Sequence, residues 1–549
     1  MNYVSTRDKN NKVSSAEAIA HGISKEGGLF VPESFPKFSG EDFENLKKLD
    51  YIGRAKYVLK NFLTDFTEEE LDYCVNGAYT GSFDEDKPAP MARLGENINM
   101  LELWHGPTCA FKDLALQMLP YLLTVSAKKV AAGKKTVILV ATSGDTGKAA
   151  LEGFKDVAGT EIMVFYPNDG VSPMQKLQMA SQKGGNVHVC AINGNFDDAQ
   201  TGVKKIFTDK AVAERLLEHN MQFSSANSIN WGRLAPQIVY YVSAYCDLLN
   251  RGESLENGFN VTVPTGNFGN ILAAYYAKKM GVPINKLICA SNSNNVLTDF
   301  IKTGKYDRNR DFYTTVSPSM DILISSNLER MLFELSGCDD KAVAEMQNEL
   351  KNSGAFCVSD DMEKKITELF WGGCCSDAQT LETIGNTYKE YGYLCDTHTA
   401  VAVNVYGQYV KATGDNRPVV IASTASPYKF ADSVLSALTD DKAESDFDKV
   451  RQLSRLTSTE IPEPIQTTIY VRNPAGRPFF SLSYPKIPLK TIASTVLSST
   501  EKMVSSFKTA IFSNTIPCSL FYPSPDFCRR SRENAGSLIS YAVYRYLSS

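Results

Sequence analysis

The sequence predicts an α/β protein of more than one domain, with parallel sheets covered by helices. An apolar run from Lys135 to Ala141 ends in Thr142, Ser143, Gly144, Asp145, Thr146 and Gly147, followed by the helix-compatible KAALEGFKDV. The same order of strand, polar glycine turn and helix recurs at Val261 to Pro264, then Thr265, Gly266, Asn267, Phe268, Gly269 and Asn270, then ILAAYYAKKM. Further apolar runs at Glu161 to Tyr166, Val187 to Ile192, Leu287 to Ala290 and Val419 to Ala422 alternate with stretches of helical length. A parallel sheet buried on both faces by crossover helices needs this alternation.

Residues 1–90 read as a mixed or helical N-terminal lobe. It ends in the acidic GSFDEDKPAP connector, Gly81 to Pro90, where prolines and charges discourage a continued helix or strand. Residues 91–465 form a two-lobed region that holds both glycine turns. Within it, 339–367 reads as helix, turn and helix, an insertion beside the main sheet. From 466 to 549 serines, prolines and short aromatic clusters replace clean periodicity. That tail is expected to be weakly packed or partly disordered, with a small accessory domain as the other reading.

The chain's 549 residues, 43% hydrophobic and 22% charged, exclude a disordered or fibrous protein. With 57 basic and 62 acidic residues the net charge is −5, which gives no reason to expect nucleic acid or a polybasic membrane contact. The 12 cysteines are scattered apart from adjacent Cys374 and Cys375, which fits a reducing compartment better than a disulfide framework. No run approaches the roughly 20 apolar residues of a membrane-spanning helix, and the opening lacks a signal-peptide pattern. A soluble, cytoplasmic protein is expected, and no feature demands a partner chain, so a monomer is the expected state. The histidines at 21, 105, 188, 219 and 398 lack close pairing on a helix face, so no metal site is expected.

The densest chemical phrase is ELWHGPTCAFKDLALQ, Glu102 to Gln117. Lys112 sits between an aromatic residue and an acid just before an apolar segment of helical spacing. Interior placement or nearby positive charge favours the neutral, nucleophilic amine needed for a Schiff base. Main-chain amides at a helix N-terminus point toward an anion, so GNFGN at 266–270 suits a phosphate and SGDTG at 143–147 suits a second anion. Each turn alone is also compatible with a tight turn required by the sheet. Neither has the glycine order of a nucleotide-binding loop or a dinucleotide fingerprint. His105 is read either as a site contact or as packing and capping, and Cys109 as a small buried filler.

The phrases YVSTRD, GGLFVP, HGPTCAFKD, ATSGDTGKAA, SPMQKLQM, NSINWGRLAPQ, VPTGNFGNILA and STASPYKF occur in order along residues 1 to 460. Together they resemble the long-form threonine synthases, members of the tryptophan-synthase-β-like, fold type II pyridoxal phosphate enzymes. The resemblance implies that fold, with an N-terminal accessory lobe, and implies that Lys112 carries pyridoxal 5'-phosphate. It implies that Gly266, Asn267, Phe268, Gly269 and Asn270 hold the cofactor phosphate and that Thr424 stands beside the pyridine nitrogen. On the phrase alone, Ser423 or Thr424 would read as a helix cap. By the same resemblance, Ser143, Gly144, Asp145, Thr146 and Gly147 face the substrate, with its α-carboxylate assigned to Ser143 and Thr146. Asn230 and Arg233, aided by Lys429 or Lys148, are expected to hold the leaving phosphate, although each also suits a structural pair or a surface position. The implied reaction converts O-phospho-L-homoserine and water to L-threonine and phosphate, with Lys112 as the repeated proton carrier. Another β- or γ-replacement enzyme or a dehydratase of the same cofactor class is the alternative.

Overall fold

A computed structural model describes residues 1–84, 87–130, 133–142, 144–168, 171, 173–194 and 196–470. Ser143 and the expected tail beyond Tyr470 lie outside the described residues. The chain divides into two units: Met1–Val130 joined to Ala226–Thr467, and a second within Ala131–Ser225.

In the first unit, β1 (Tyr3–Ser5), β2 (Asp8–Val13) and β3 (Phe30–Pro32) form a small antiparallel sheet. Helices Ser15–His21, Tyr51–Leu59 and Glu68–Tyr79 follow. Ser14, Asp50 and Thr67 start them by accepting first-turn amides, which supplies partners that the helix itself lacks. Tyr3 and Phe62 pack edge-on against Trp231, with ring centroids at 5.2 and 5.7 Å. The N-terminal segment is thereby built onto the long helix Trp231–Asn250.

The main sheet of this unit contains β4 (Met91–Leu94), β5 (Ile98–Glu102), β10 (Phe259–Pro264), β11 (Ile284–Ser291), β14 (Phe370–Cys374) and β15 (Val419–Ser423). Their order is β14-β11-β10-β15-β5-β4, and all pairings are parallel except β4 with β5. Every residue of β10 and β15 is buried, as expected of central strands covered on both faces. Met100, Ile288, Val419 and Ile421 pack with Val401 and Val405 of helix Thr397–Thr413, and each such burial is worth about 1.5–3 kcal/mol. The predicted runs from 261, 287 and 419 fall inside β10, β11 and β15. Segment 339–367 contains helix Asp340–Asn352, β13 (Ala355–Cys357) and the start of helix Asp360–Leu369. Strand β13 pairs antiparallel with β12 (Lys305–Asp307), so a strand stands where a plain turn was expected.

The second unit has its own sheet, ordered β8-β7-β6-β9, from β6 (Lys135–Ala141), β7 (Thr160–Pro167), β8 (Val187–Ile192) and β9 (Met221–Ser224). All its pairings are parallel. Val137, Leu139, Met163 and Phe165 pack on one face with Val212 and Leu216. The alternate residues Ile138, Val140, Ile162 and Val164 are buried on the other. The architecture is the α/β fold with parallel sheets that the sequence predicts. Among the described residues no helix is long and apolar enough to cross a membrane.

Candidate active site

Three adjacent parallel strands of the first unit, β10, β15 and β5, each lead at their carboxyl ends into a predicted site segment. Strand β5 leads to Lys112, β15 to Thr424 and β10 to Gly266–Asn270. Neighbouring strands lie about 4.8 Å apart, so the three segments leave the sheet within roughly 10 Å of one another. The carboxyl edge of a parallel sheet is where such folds bind ligands.

Backbone hydrogen bonds tie the first two segments together. Leu103 N donates to Ser423 O and Phe111 N to Thr424 O, both at 2.9 Å, and Ser426 N donates to Cys109 O at 3.1 Å. Cys109 is buried and adopts a left-handed φ of 55°, an uncommon conformation for a residue with a side chain. Asp113 fixes the turn from within: its carboxylate accepts from Thr108 N at 2.8 Å and Thr108 Oγ1 at 2.6 Å. Burial pushes the Asp113 carboxyl up to about 6 against those hydrogen bonds and the nearby Lys429 charge. Lys112 itself is half-buried, its Nζ 6.0 Å from the Phe111 ring centroid.

Thr424 is held from below by its amide, which donates to Thr399 Oγ1 at 3.3 Å. Thr399 donates in turn to Asp396, which pairs with His398 Nδ1 at 2.8 Å. His398 Nε2 accepts from Ser319 N at 3.1 Å.

The Gly266–Asn270 loop is shaped by residues far along the chain. Ser325 Oγ donates to Gly266 O at 2.7 Å. Asn327 donates to Asn267 O from its backbone at 3.1 Å and from Nδ2 at 3.0 Å. Both loop carbonyls thus face segment 325–327. Because each peptide is planar and trans, the amides of Asn267 and Phe268 point to the opposite edge. Phe268 takes a φ of 62°, and helix Gly269–Lys279 begins directly after it. A Cβ on Gly266 would stand 2.9 Å from Ser319 O, so only glycine fits there without displacement.

Asn270 completes the arrangement. Tyr240 and Tyr241 hydroxyls donate to its Oδ1, and its buried Nδ2 has no partner among the described residues. A buried donor without an acceptor is costly, and an anion in the loop would supply one. The loop and Asn270 therefore fit a phosphate-bearing group.

In the second unit the SGDTG turn joins β6 to helix Asp145–Phe154. Thr142 Oγ1 accepts from Gly144 N and Gly147 N, both at 3.0 Å. Gln175 Nε2 donates to Asp145 Oδ1 at 2.9 Å, and a Cβ on Gly144 would meet the Gln175 side chain at 2.6 Å. Thr146 lies in the first turn of that helix. Lys148 pairs with Glu152 at 2.8 Å and also donates to Gln182.

The residues expected at the leaving phosphate divide. Asn230 caps helix Trp231–Asn250 by accepting from Gly232 N at 2.8 Å, while its Nδ2 donates to Ile19 O at 3.0 Å. Lys429 Nζ donates to Thr108 O at 2.6 Å. Arg233 is different: it is 3% exposed, Nη1 donates to Ala226 O at 2.6 Å, and Nε has no partner among the described residues. Burial lowers its guanidinium to about 10. Cys109 is a buried filler, whereas His105 is a latch between Glu102 at 2.9 Å and Asp84 at 3.2 Å.

Sequence reasoning missed Ser325, Asn327, Asp396, His398 and Thr399 as supports of the site. Ser325 and Asn327 act on partners 59 and 60 residues away, a separation that carries no local pattern.

Three family models match the chain: "Threonine synthase N terminus" over residues 2–79, "Pyridoxal-phosphate dependent enzyme" over 87–357, and "Threonine synthase, C-terminal" over 399–464. Threonine synthase-like 1 of Homo sapiens is 41% identical over 478 residues, covering 84% of this chain and 62% of the human protein. The chain thus spans about three fifths of that relative's length. Threonine synthase of Pseudomonas aeruginosa is 39% identical over 439 residues, covering 80% of this chain and 90% of the bacterial one. The crystal structure of PLP-bound threonine synthase from Brucella melitensis matches with a TM-score of 0.74 and 38% identity, over 84% of this chain and 95% of that one. The ordered phrases, the parallel sheets and these matches agree: the chain belongs to the threonine synthase family.

Proposed function

We propose that this chain is a pyridoxal phosphate enzyme that converts O-phospho-L-homoserine and water to L-threonine and inorganic phosphate. The observation that carries the reading is the meeting of Lys112, Thr424 and the Gly266–Asn270 loop at the carboxyl ends of three neighbouring parallel strands. Lys112 would hold the cofactor's carbonyl carbon, the loop amides with Asn270 Nδ2 would hold its phosphate, and the Thr424 hydroxyl would partner its ring nitrogen. When bound, pyridoxal phosphate supplies the electron sink that stabilises negative charge on the substrate carbons.

The chain's own residues do the rest. Lys112 Nζ, as a free amine, takes the proton from the substrate α-carbon and is the candidate for the later transfers at Cβ and Cγ. A hydroxyl at Thr424 leaves the ring nitrogen hydrogen-bonded, where a carboxylate would form an ion pair. Arg233 suits the leaving phosphate because its buried guanidinium has an unused donor, and a planar fork matches phosphate oxygens. Asn230 and Lys429, whose donors are engaged with carbonyls, and Lys148, paired with Glu152, are assigned supporting parts. In the second unit Ser143, Thr146 and the neighbouring backbone amides are assigned the substrate's α-carboxylate, and Gly144, Asp145 and Gly147 are assigned to the same substrate-facing turn. We read the protein as a cytoplasmic monomer, a state that sedimentation of the purified chain tests.

The test is a substrate panel on the full chain reconstituted with pyridoxal phosphate. Threonine and phosphate formed together from O-phospho-L-homoserine support the reading, and a different product profile moves the chain to another replacement or dehydratase activity. Lys112→Ala is expected to lose the cofactor's visible absorption and all turnover. Normal turnover by that variant would remove Lys112 from its role.

A further inference from the structure

Two of the ordered phrases, YVSTRD and GGLFVP, have no part in the chemistry above, yet both meet a third at one place. Thr6 and Arg7, from the first phrase, hold Glu329: Thr6 Oγ1 donates at 2.6 Å, and Arg7 donates from Nε at 2.8 Å and Nη2 at 2.7 Å. Phe30, from the second, accepts at its carbonyl from Arg330 Nε at 3.0 Å. Ile229, from NSINWGR, accepts from Arg330 Nη2 at 2.6 Å. Glu329 and Arg330 lie in the first turn of helix Leu328–Leu335, directly after Asn327.

Arg330 is 0% exposed, and its remaining hydrogen bond runs from Nη1 to Asn327 Oδ1 at 2.5 Å. All three of its acceptors are neutral. Burial lowers its guanidinium to about 10, opposed by the charges of Tyr276 and Glu329. Because Asn327 Oδ1 is held by Arg330, its Nδ2 is aimed at Asn267 O. The chain of bonds therefore runs from Phe30 and Ile229 through Arg330 and Asn327 to the peptide that turns the loop amides outward. A buried positive charge whose hydrogen-bond acceptors among the described residues are neutral also raises the local potential.

We infer that Arg330 and Asn327 are positioning residues for anion binding: they fix the Asn267 peptide so that the Gly266–Asn270 loop selects a phosphate-bearing cofactor over its unphosphorylated counterpart. The inference rests on the reading of that loop as the cofactor-phosphate site. Ser325, through Gly266 O, adds a second, uncharged clamp.

The experiment compares pyridoxal phosphate with pyridoxal, which lacks the phosphate, on the cofactor-free full chain. Asn327→Asp keeps the acceptor for Arg330 while neutralising its charge and removing the side-chain donor to Asn267 O, leaving only the backbone one. The expected result is at least about a tenfold loss of affinity for pyridoxal phosphate, little change for pyridoxal, and a melting temperature close to that of the unsubstituted protein. Ser325→Ala should shift the same ratio less, and it decides the matter if Asn327→Asp fails to fold. Equal losses for both ligands, or no loss for either, would overturn the inference and reduce these residues to structural supports. If the unsubstituted protein itself shows no preference for the phosphorylated ligand, the loop's assignment falls first and the inference with it.

Discussion

The two glycine turns share one local grammar and are held in different ways. The SGDTG turn of the second unit is stabilised from nearby in sequence: Thr142 accepts two of its amides, and Gln175, 30 residues on, holds Asp145. The GNFGN loop of the first unit depends on Ser325 and Asn327, 59 and 60 residues downstream, for the direction of its carbonyls. The same sequence signal therefore marks a turn that closes largely on itself and a loop whose amide edge is imposed from outside. A glycine turn after a strand announces where a ligand loop belongs; which way its amides face is set by the neighbours of its carbonyls.

The comparison can be broken most forcefully at the substrate side. Arg233→Ala is expected to lower kcat/KM for O-phospho-L-homoserine by about 10- to 100-fold, the range of a lost charge-assisted hydrogen bond. Pyridoxal phosphate retention, measured by absorbance after gel filtration, should stay near that of the unsubstituted protein. Equal loss of both would make Arg233 a general support of the first unit.

Gly147→Ala tests the self-contained turn. The added Cβ would stand 2.4 Å from Thr142 Cγ2 and 2.9 Å from Val164 Cγ1. Overpacking of this kind should cost about 1–3 kcal/mol, read by chemical denaturation, without altering the preference for the phosphorylated cofactor. Thr142→Val sharpens the same contrast by removing the oxygen that accepts two amides, at an expected cost of about 1–2 kcal/mol. An altered cofactor preference in either variant would show that the second turn is not independent of the first.

The smallest expected effect concerns His105. Burial lowers its basicity, but hydrogen bonds and charge from Glu102 and Asp84 outweigh this and leave its imidazole above the ordinary value. A group with a raised folded-state value stabilises the protein fully below its unfolded value and loses that contribution as pH rises through the folded one. His105→Gln should therefore destabilise by about 1 kcal/mol at pH 5.5 and by less at pH 8.5, with pH-dependent melting as the measurement. An equal loss at both values would assign the latch to packing on Trp104.

Much of the fold was legible because it rests on periodicity. The apolar runs from 135, 261, 287 and 419 became β6, β10, β11 and β15, largely apolar because such strands are covered on both faces, while the run from 187 became the edge strand β8, buried at alternate residues. Strand β14 was not legible, because its FWGGC contains two glycines whose smallness serves close packing on Thr298, Trp371 and Val405. Sequence could nominate candidates where chemistry depends on residue type, as at Lys112 and the glycine loop, and Arg233 entered through the family resemblance. The candidate site was not legible where a side chain's task depends on its partner, as when Lys148 pairs with Glu152 and Asn230 becomes a helix cap.

By itself the sequence determined the strand–turn–helix alternation, the two glycine turns and the candidate lysine, because local conformation and side-chain chemistry are properties of short segments. Only the tertiary structure decided that β5, β15 and β10 lie side by side and that the 267 carbonyl is turned toward Asn327, away from the loop's amide edge. Strand order and hydrogen-bond direction arise from contacts between distant residues, and no short window of sequence contains both members of such a contact.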